Sequence, residues 1–275
     1  MPGWFARWRD ALTGGAPSAG RVIPQALWDA TLQAYPFLAQ RTAEDISRLR
    51  ALTGHFLDGK EFYGAQGLEI TDAMAVAVAA QASLPILHLP GGLDWYDDFV
   101  GIVMQPGEVV ARREVTDEAG VVHRYSEVLS GEAMDRGPIM LSWTDVARAG
   151  ASAMQGYNVV IHEFAHKIDM RAGEPDGCPP LPAGFMGSAS PRAARERWLA
   201  VLTPAYEAFR EKVIIAERFG GEEPWLDAYG AQSITEFFAV ACEGYFVNRD
   251  AFKRDFASLV TLFDAFFSQQ QRLRR

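Results

Sequence analysis

The sequence predicts an α+β fold that is mostly helical, with a small mixed sheet in the middle of the chain. Apolar residues recur at helical spacing up to residue 84 and again after residue 143. Between these regions, short segments rich in Val and Ile are separated by Gly, Pro and Asp, a pattern typical of strands. We expect one domain over residues 21–275, preceded by a short segment and a flexible connector within residues 1–20.

Each predicted element rests on a local pattern. Helices are predicted over IPQALWDATLQAYPFL, EDISRLRALTGHFL and the Ala-rich LEITDAMAVAVAAQASL. Strands are predicted over PILHL, FVGIVMQP, EVVARREV, VVHRYSEVL and PIMLSW, with a hairpin turn at TDEAG, residues 116–120. One helix should then run from an N-cap at Thr144 to about Met170. The turn-rich residues 172–191 should form a long loop, either a lid over a cleft or a flexible surface linker.

Three more helices are predicted after this loop. They cover RAARERWLAVLTPAYEAFREKVI, bent at Pro204, then SITEFFAVACEGYF, and finally DAFKRDFASLVTLFDAFFSQQQ. Large apolar side chains share one face of the last helix, so core packing is favoured over a membrane or partner surface. This stripe consists of Phe252, Phe256, Leu259, Phe263 and Phe266.

Composition excludes several classes of protein. The formal net charge is −9, which disfavours nucleic-acid binding through a broad basic surface. The chain has no run of 18 apolar residues, so we expect no membrane span, and its start does not resemble a secretory signal. Cys178 and Cys242 form no CxxC pair, which indicates a cytoplasmic protein without a disulfide framework. Any zinc site must therefore use His and carboxylate ligands.

The segment VVIHEFAHKIDM, residues 159–170, carries the pattern that indicates chemistry. Helical residues four apart lie on the same side, so His162 and His166 can both reach one metal ion. Glu163 is offset by about 100° and projects beside the ion, where it can take a proton from a bound water. In a helix this apolar, such side chains are costly unless something orders them. The competing interpretation is a pair of core histidines satisfied by hydrogen bonds.

A catalytic zinc ion needs a third protein ligand and one open position. All other histidines lie upstream of His162, so we expect the third ligand to be a carboxylate on a later helix. Glu236 and Glu243 are seven residues apart and share a helix face. We prefer Glu236, because among its Phe and Ala neighbours an unpaired carboxylate would be expensive. Glu243 is then a rival ligand, an acceptor for a ligand histidine, or a solvated surface charge.

Two further residues are candidates for supporting roles. Asp169 follows His166 by three residues and would accept the spare N–H of a ligand histidine, unless it simply ends the helix or pairs with Lys167. Tyr229 lies seven residues before Glu236 and would donate to a developing oxyanion, unless it is an ordinary half-buried tyrosine.

Several stretches resemble the Mlc titration factor A family of bacterial zinc peptidases. They are HEFAHKID, LDAYGAQSITEFFAV, FYGAQGLEITDAMAVAVAAQASLPILHL and SGEAMDRGPIMLSW, and the likeness runs from about Ile23 to the last helix. HEFAH and TEFFA are also similar to the catalytic domain of anthrax lethal factor.

The resemblance implies a zincin-like fold of the gluzincin type with one zinc ion per chain. His162, His166 and Glu236 match the metal ligands, Glu163 the general base, and Tyr229 the oxyanion tyrosine. It also implies a cytosolic protein with aminopeptidase-type activity on short substrates. Its last implication is a link to the glucose phosphotransferase system through the repressor Mlc.

The resulting hypothesis is a zinc metallopeptidase that acts on peptides. The alternative is a binding partner that sequesters a transcriptional regulator without cleaving anything. A substrate peptide would pair with a sheet edge, either GPIMLSW or FVGIVMQP. An aminopeptidase also needs an acidic group for the substrate amine, and four residues are equal candidates: Asp97, Asp98, Glu132 and Asp135.

Overall fold

The computed structural model describes residues 20–107, 109–116, 122–129, 131–133 and 137–268, with side chains left undescribed at residues 108–130, 132 and 134–136. The predicted N-terminal segment and nearly all of its connector lie outside these residues. Most of the predicted TDEAG turn also lies outside them.

The described residues contain ten α-helices and six strands. The helices are α1 Gln25–Ala34, α2 Pro36–Ala39, α3 Ala43–Gly59, α4 Asp72–Ser83, α5 Trp143–Ser152, α6 Val159–Met170, α7 Pro191–Phe219, α8 Ile234–Val247, α9 Arg249–Asp255 and α10 Ala257–Phe267. The strands are β1 Glu61–Gly64, β2 Gly101–Gln105, β3 Val109–Thr116, β4 Val122–Leu129, β5 Gly131–Ala133 and β6 Ile139–Ser142. This confirms a mostly helical chain with a small sheet ahead of α6. None of these helices combines the length and the apolarity needed to cross a bilayer.

Four strands form a mixed sheet in the order β1-β2-β6-β5. β1 runs parallel to β2 and β2 parallel to β6, whereas β5 is antiparallel to β6. β3 and β4 form a separate antiparallel pair with Val109 opposite Leu129 and Thr116 opposite Val122. Since β2 and β6 are interior strands, neither FVGIVMQP nor GPIMLSW offers a free sheet edge, and that expectation is wrong. The outer strands of the sheet are β1 and β5.

The hydrophobic core surrounds α4 and α6. Every residue of α4 from Met74 to Ser83 is buried, which an Ala-rich sequence allows because small side chains let neighbouring helices approach on all sides. α6 is nearly as buried and packs against α4 and α8. The predicted apolar stripe at the end of the chain faces this core: Phe252, Leu259, Phe263 and Phe266 are fully buried, and Phe256 packs against them.

Several predicted elements differ from the structure. PILHL is not a strand, because residues 84–89 form consecutive turns closed by hydrogen bonds from Leu87 N to Leu84 O and from Leu89 N to Ile86 O. The single helix predicted from Thr144 to Met170 is broken between α5 and α6 by Gly156, whose φ of 79° is left-handed. Ser142, not Thr144, caps α5. The final predicted helix is likewise divided into α9 and α10, next to Phe256.

Residues 172–191 form the predicted loop, and the loop is attached to the helices on either side. Gly177 donates its backbone N–H to Asp169 Oδ2 in α6 at 2.8 Å, and its carbonyl accepts from Trp198 Nε1 in α7 at 2.7 Å. Cys178 and Phe185 of the loop are buried. The loop is therefore hydrogen-bonded to both neighbouring helices through Gly177 and is not a free surface linker.

Candidate metal centre

The start of α6 is fixed by Asn158. Its side-chain oxygen accepts from Ile161 N at 2.9 Å and caps the helix, while its amide group donates to Gln81 Oε1 of α4 at 2.8 Å. Asn158 is fully buried, and these hydrogen bonds satisfy an amide group that would destabilise the fold if it were left unpaired. The cap sets the rotation of α6 and thereby the direction in which His162 projects.

The start of α8 is fixed in a related way. Ser233 caps α8 by accepting from Glu236 N at 3.2 Å, which places Glu236 in the first turn. The S-x-x-E spacing of Ser233 and Glu236 is the sequence pattern of a capping box. Here the Glu236 carboxylate contacts α6, so a helix-start signal and a functional side chain coincide.

Three side chains from α6 and α8 converge on one point. His162 Nε2 lies 3.1 Å from His166 Nε2 and 3.1 Å from Glu236 Oε2, and His166 Nε2 lies 3.2 Å from the same oxygen. His166 is buried, whereas His162 and Glu236 are partly exposed. The structure thus brings together the two predicted histidines and the preferred carboxylate.

The donor set fits a metal ion. His162 Nδ1 lies 2.8 Å from Glu243 Oε1, so the neutral imidazole places its hydrogen on Nδ1 and keeps a lone pair on Nε2 that a metal ion can take. Three such atoms in mutual contact repel one another unless protons on the imidazoles or a metal ion lie between them. Tetrahedral zinc with nitrogen ligands at about 2.0–2.1 Å would separate its ligand atoms by roughly 3.3 Å, close to the observed spacing.

Glu243 contacts His162 as expected if it is the acceptor for a ligand histidine, one of the alternatives considered for it, and it is not a solvated surface charge. It is 1% exposed, and its second oxygen accepts from the backbone N–H of Asn158. Burial raises the pKa of Glu243, while the bond from His162 opposes that rise. One carboxylate therefore holds both the helix cap and the histidine.

The charges within the cluster support one another. Burial lowers the pKa of His162, but the carboxylates of Glu236 and Glu243 outweigh burial and raise that pKa well above its usual value. Burial opposes ionisation of Glu236, yet its hydrogen bonds with His162 and His166 hold its pKa well below the usual range. The Glu236 carboxylate is therefore negative, as a metal ligand must be.

Glu163 lies on the adjacent face of α6, against the outer strand β5. It is 4% exposed, and burial raises its pKa to about 7, while the neighbouring imidazoles oppose the rise. A carboxyl group with a pKa near 7 exchanges protons readily at neutral pH.

Tyr229 lies beside the cluster. Its ring centroid is 5.9 Å from that of His162, and a short 3₁₀ turn held by Asp227 positions it, with Tyr229 N donating to Asp227 Oδ1 at 2.9 Å. Asp169 accepts a hydrogen bond from the backbone N–H of Gly177. Lys167 pairs with Asp98 at 3.2 Å.

The four residues considered for the substrate amine divide into two groups. Asp97 pairs with Arg171 at 2.5 Å and Asp98 with Lys167, so a basic side chain already occupies each carboxylate. The side chains of Glu132 and Asp135 lie outside the described residues.

A model of the glucose-regulated metallo-peptidase M90 family matches residues 6–268 of the chain. The protein belongs to the M90 family. This agrees with a donor set built for a metal, and it confirms the resemblance that the motifs indicated.

Curated relatives match most of the chain as well. The chain is 34% identical over 251 residues to Mlc titration factor A of Salmonella arizonae, covering 90% of this chain and 93% of that protein. It is 33% identical to the proteins of the same name from Escherichia fergusonii and Salmonella typhimurium, covering 90% of this chain and 87% and 88% of them.

Sequence reasoning did not find two residues that position the candidate metal centre. Asn158 is an Asx residue directly before an apolar run, which is a helix-start signal that was assigned to Thr144 instead. Gly131 adjoins Glu163 from β5, and nothing in its local sequence indicates that contact.

Proposed function

We propose that this protein is a zinc-dependent peptidase of the gluzincin type, with His162, His166 and Glu236 as metal ligands. The observation that carries the proposal is the convergence of two imidazoles from α6 and one carboxylate from α8, with Glu163 beside them. A third ligand that is a glutamate on a later helix is the arrangement that the gluzincin class implies.

The residues divide the chemistry among them. A zinc ion in this position would act as a Lewis acid that lowers the pKa of a bound water to about 7. Glu163 accepts the proton of the attacking water and passes it to the leaving amine. Tyr229 donates a hydrogen bond to the oxyanion that develops on the scissile carbonyl. Glu243 holds His162 in the tautomer whose Nε2 is free, and Asn158 keeps the Glu243 carboxylate in place.

The outer strand β5 is the element suited to hold an extended peptide. Among the described residues, β5 pairs on one side alone, through the register Gly131 with Leu141 and Ala133 with Ile139. It lies against α6 next to Glu163, so a peptide paired with β5 would pass the catalytic carboxylate. The family resemblance also implies that cleavage starts at a free N-terminus. Asp97 and Asp98, two candidates for binding the substrate amine, already pair with basic side chains.

A second function is favoured by the name of the relatives. Proteins called Mlc titration factor A cover about nine-tenths of this chain, and we propose an Mlc-like transcriptional repressor as a cytoplasmic protein partner. The formal charge of −9 argues against direct nucleic-acid binding, so such regulation would act on the repressor itself.

The decisive experiment replaces the base and keeps the ligands. Glu163→Gln should retain zinc at wild-type stoichiometry but lower peptide turnover by at least about a hundred-fold, because general-base catalysis contributes about 10²–10⁴. Zinc content would be measured by mass spectrometry and turnover with fluorogenic peptides. Undiminished turnover in this variant would remove Glu163 from the mechanism.

A matched pair of variants separates catalysis from partner binding. His162→Ala and Glu236→Ala should lose both zinc and turnover. If His162→Ala still binds an Mlc-like repressor as tightly as wild type does, the two functions are independent. If zinc-loaded wild type cleaves no peptide, the binding function stands alone.

A further inference from the structure

We propose that Gly131 is a positioning residue for Glu163: the missing side chain lets the backbone of β5 press against the Glu163 carboxylate and hold it at the metal centre. The contact itself is a property of the fold, whereas its effect on turnover rests on the proposed peptidase function.

The space between the two residues is too small for a methyl group. A Cβ atom at Gly131 would lie 2.7 Å from Glu163 Cγ and 2.8 Å from Cδ, and closer still to Oε1. Non-bonded carbon atoms prefer separations of about 3.5–4.0 Å. The backbone of Gly131 is not left-handed, so the position requires glycine for space and not for conformation.

Neither partner can retreat easily. Gly131 is paired with Leu141 of β6, an interior strand bound to β2 on its other side. Glu163 is buried on α6, whose start is fixed by Asn158. A side chain at position 131 would therefore rotate the carboxylate away from its present direction or shift β5 from the helix.

Displacement of the carboxylate has a specific consequence. A general base must lie within hydrogen-bond reach of the proton it takes, and a misplacement of about 1 Å can cost about a hundred-fold in rate. The three atoms nearest to a Cβ at position 131 all belong to Glu163 and none to a proposed metal ligand. Gly131→Ala should thus lower kcat by about a hundred-fold while KM changes little and zinc content stays at the wild-type value.

The sheet offers a matched control. Gly101 of β2 is also a strand glycine, but a Cβ there would meet Pro138 Cβ at 3.5 Å and Tyr63 Cε2 at 3.9 Å, which are ordinary contacts. Gly101→Ala should leave kcat, KM and zinc content unchanged. An equal loss of turnover in both variants would mean that β-strand glycines are generally sensitive, and it would overturn a special role for Gly131.

A double-mutant cycle tests the contact without using activity. Zinc-loaded wild type, Gly131→Ala, Glu163→Ala and the double variant would be unfolded in urea. Gly131→Ala should lower the denaturation midpoint in the wild-type background, and the shift should fall to the Gly101→Ala value in the Glu163→Ala background, where the clashing atoms are gone. Equal shifts in both backgrounds would refute the contact even if the protein is an active peptidase.

The cycle stays informative if Gly131→Ala does not fold. Recovery of a folded protein in the Gly131→Ala, Glu163→Ala double variant would support the proposal, because the damage would then pass through Glu163. Failure of the double variant to fold would overturn it. A wild type that turns over no peptide would remove the proposed function while the cycle still decides the contact.

Discussion

At the scale of single residues, Glu243 joins two groups that the metal centre needs. Its two oxygens accept from His162 Nδ1 and from the backbone N–H of Asn158, deep in the core. Because Asn158 also caps α6, one carboxylate aligns the helix and fixes the tautomer of a ligand. A histidine whose Nδ1–H is bonded to a carboxylate is a stronger donor through Nε2.

Glu243→Gln should weaken zinc binding by about 10–100-fold, the usual cost of losing such an outer contact. The glutamine oxygen accepts from only one of the two donors, and its NH₂ group faces the other without accepting. Competition with a chromogenic chelator measures the affinity. The exposed Glu211→Gln on α7 is the control and should bind zinc as wild type does. Unchanged affinity in Glu243→Gln would show that Glu243 serves only the core.

Sequence patterns identified most of these residues but did not determine the role of each one. The spacing of His162, Glu163 and His166 places them on a helix with defined relative directions. Glu236 and Glu243 share a face of α8, so their order along the sequence does not reveal which one meets Nε2 and which one meets Nδ1. That choice depends on how α8 slides along α6, which is set by side chains far apart in the chain.

At the scale of elements, the junction between α6 and the loop 172–191 contains a buried carboxylate with an unsatisfied oxygen. Asp169 is fully buried, its Oδ2 accepts from Gly177, and its Oδ1 has no hydrogen-bond partner in the described structure. Burial raises the pKa of Asp169 to about 6, although the Gly177 bond opposes the rise. The folded protein therefore binds this proton more tightly than the unfolded chain does.

The stabilising contribution of Asp169 is thus present at about pH 4 and is lost as the pH rises through about 6. Asp169→Asn stays neutral and can still accept from Gly177, so its stability relative to wild type should rise by on the order of 2 kcal/mol between pH 4 and pH 7. Urea denaturation of chelator-treated proteins measures it. The exposed Asp29→Asn should show no such trend, and a constant difference for Asp169→Asn would contradict the argument.

The elements that sequence reasoning missed lack a local signal. β1 has only four residues and pairs in parallel with β2, thirty-seven residues further on at Gly101, so no turn between adjacent strands marks it. PILHL is buried, but buried apolar runs form turns as well as strands, and composition does not distinguish the two. The helical segments were located because their periodicity is a property of each segment alone, but the breaks at Gly156 and Phe256 were not predicted.

At the scale of the whole molecule, the candidate metal centre brings together two distant parts of the chain. His166 and Glu236 are 70 residues apart, and α7 with the loop before it lies between them in the sequence. An ion bound by both α6 and α8 closes this long segment and favours the folded state over the unfolded one.

Zinc should therefore raise the melting temperature of the wild-type protein. At a free concentration of about a hundred times the dissociation constant it contributes about 2.7 kcal/mol, or about 5–10 °C for a chain of this size. Differential scanning calorimetry with and without zinc measures the shift. Glu163→Gln should keep it, since the base is not a ligand, and His166→Ala and Glu236→Ala should lose it. A full shift in Glu236→Ala would exclude that carboxylate from the metal.

The order of the ligands along the chain also constrains how the protein matures. While the ribosome has released the chain only as far as α6, the nascent polypeptide carries both imidazoles of the candidate site but not the carboxylate of Glu236. The complete donor set exists only after α7 has been made and α8 has docked beside α6. If these three side chains are the ligands, metal selection takes place on a nearly finished, folded protein, where the geometry of the site discriminates between competing ions.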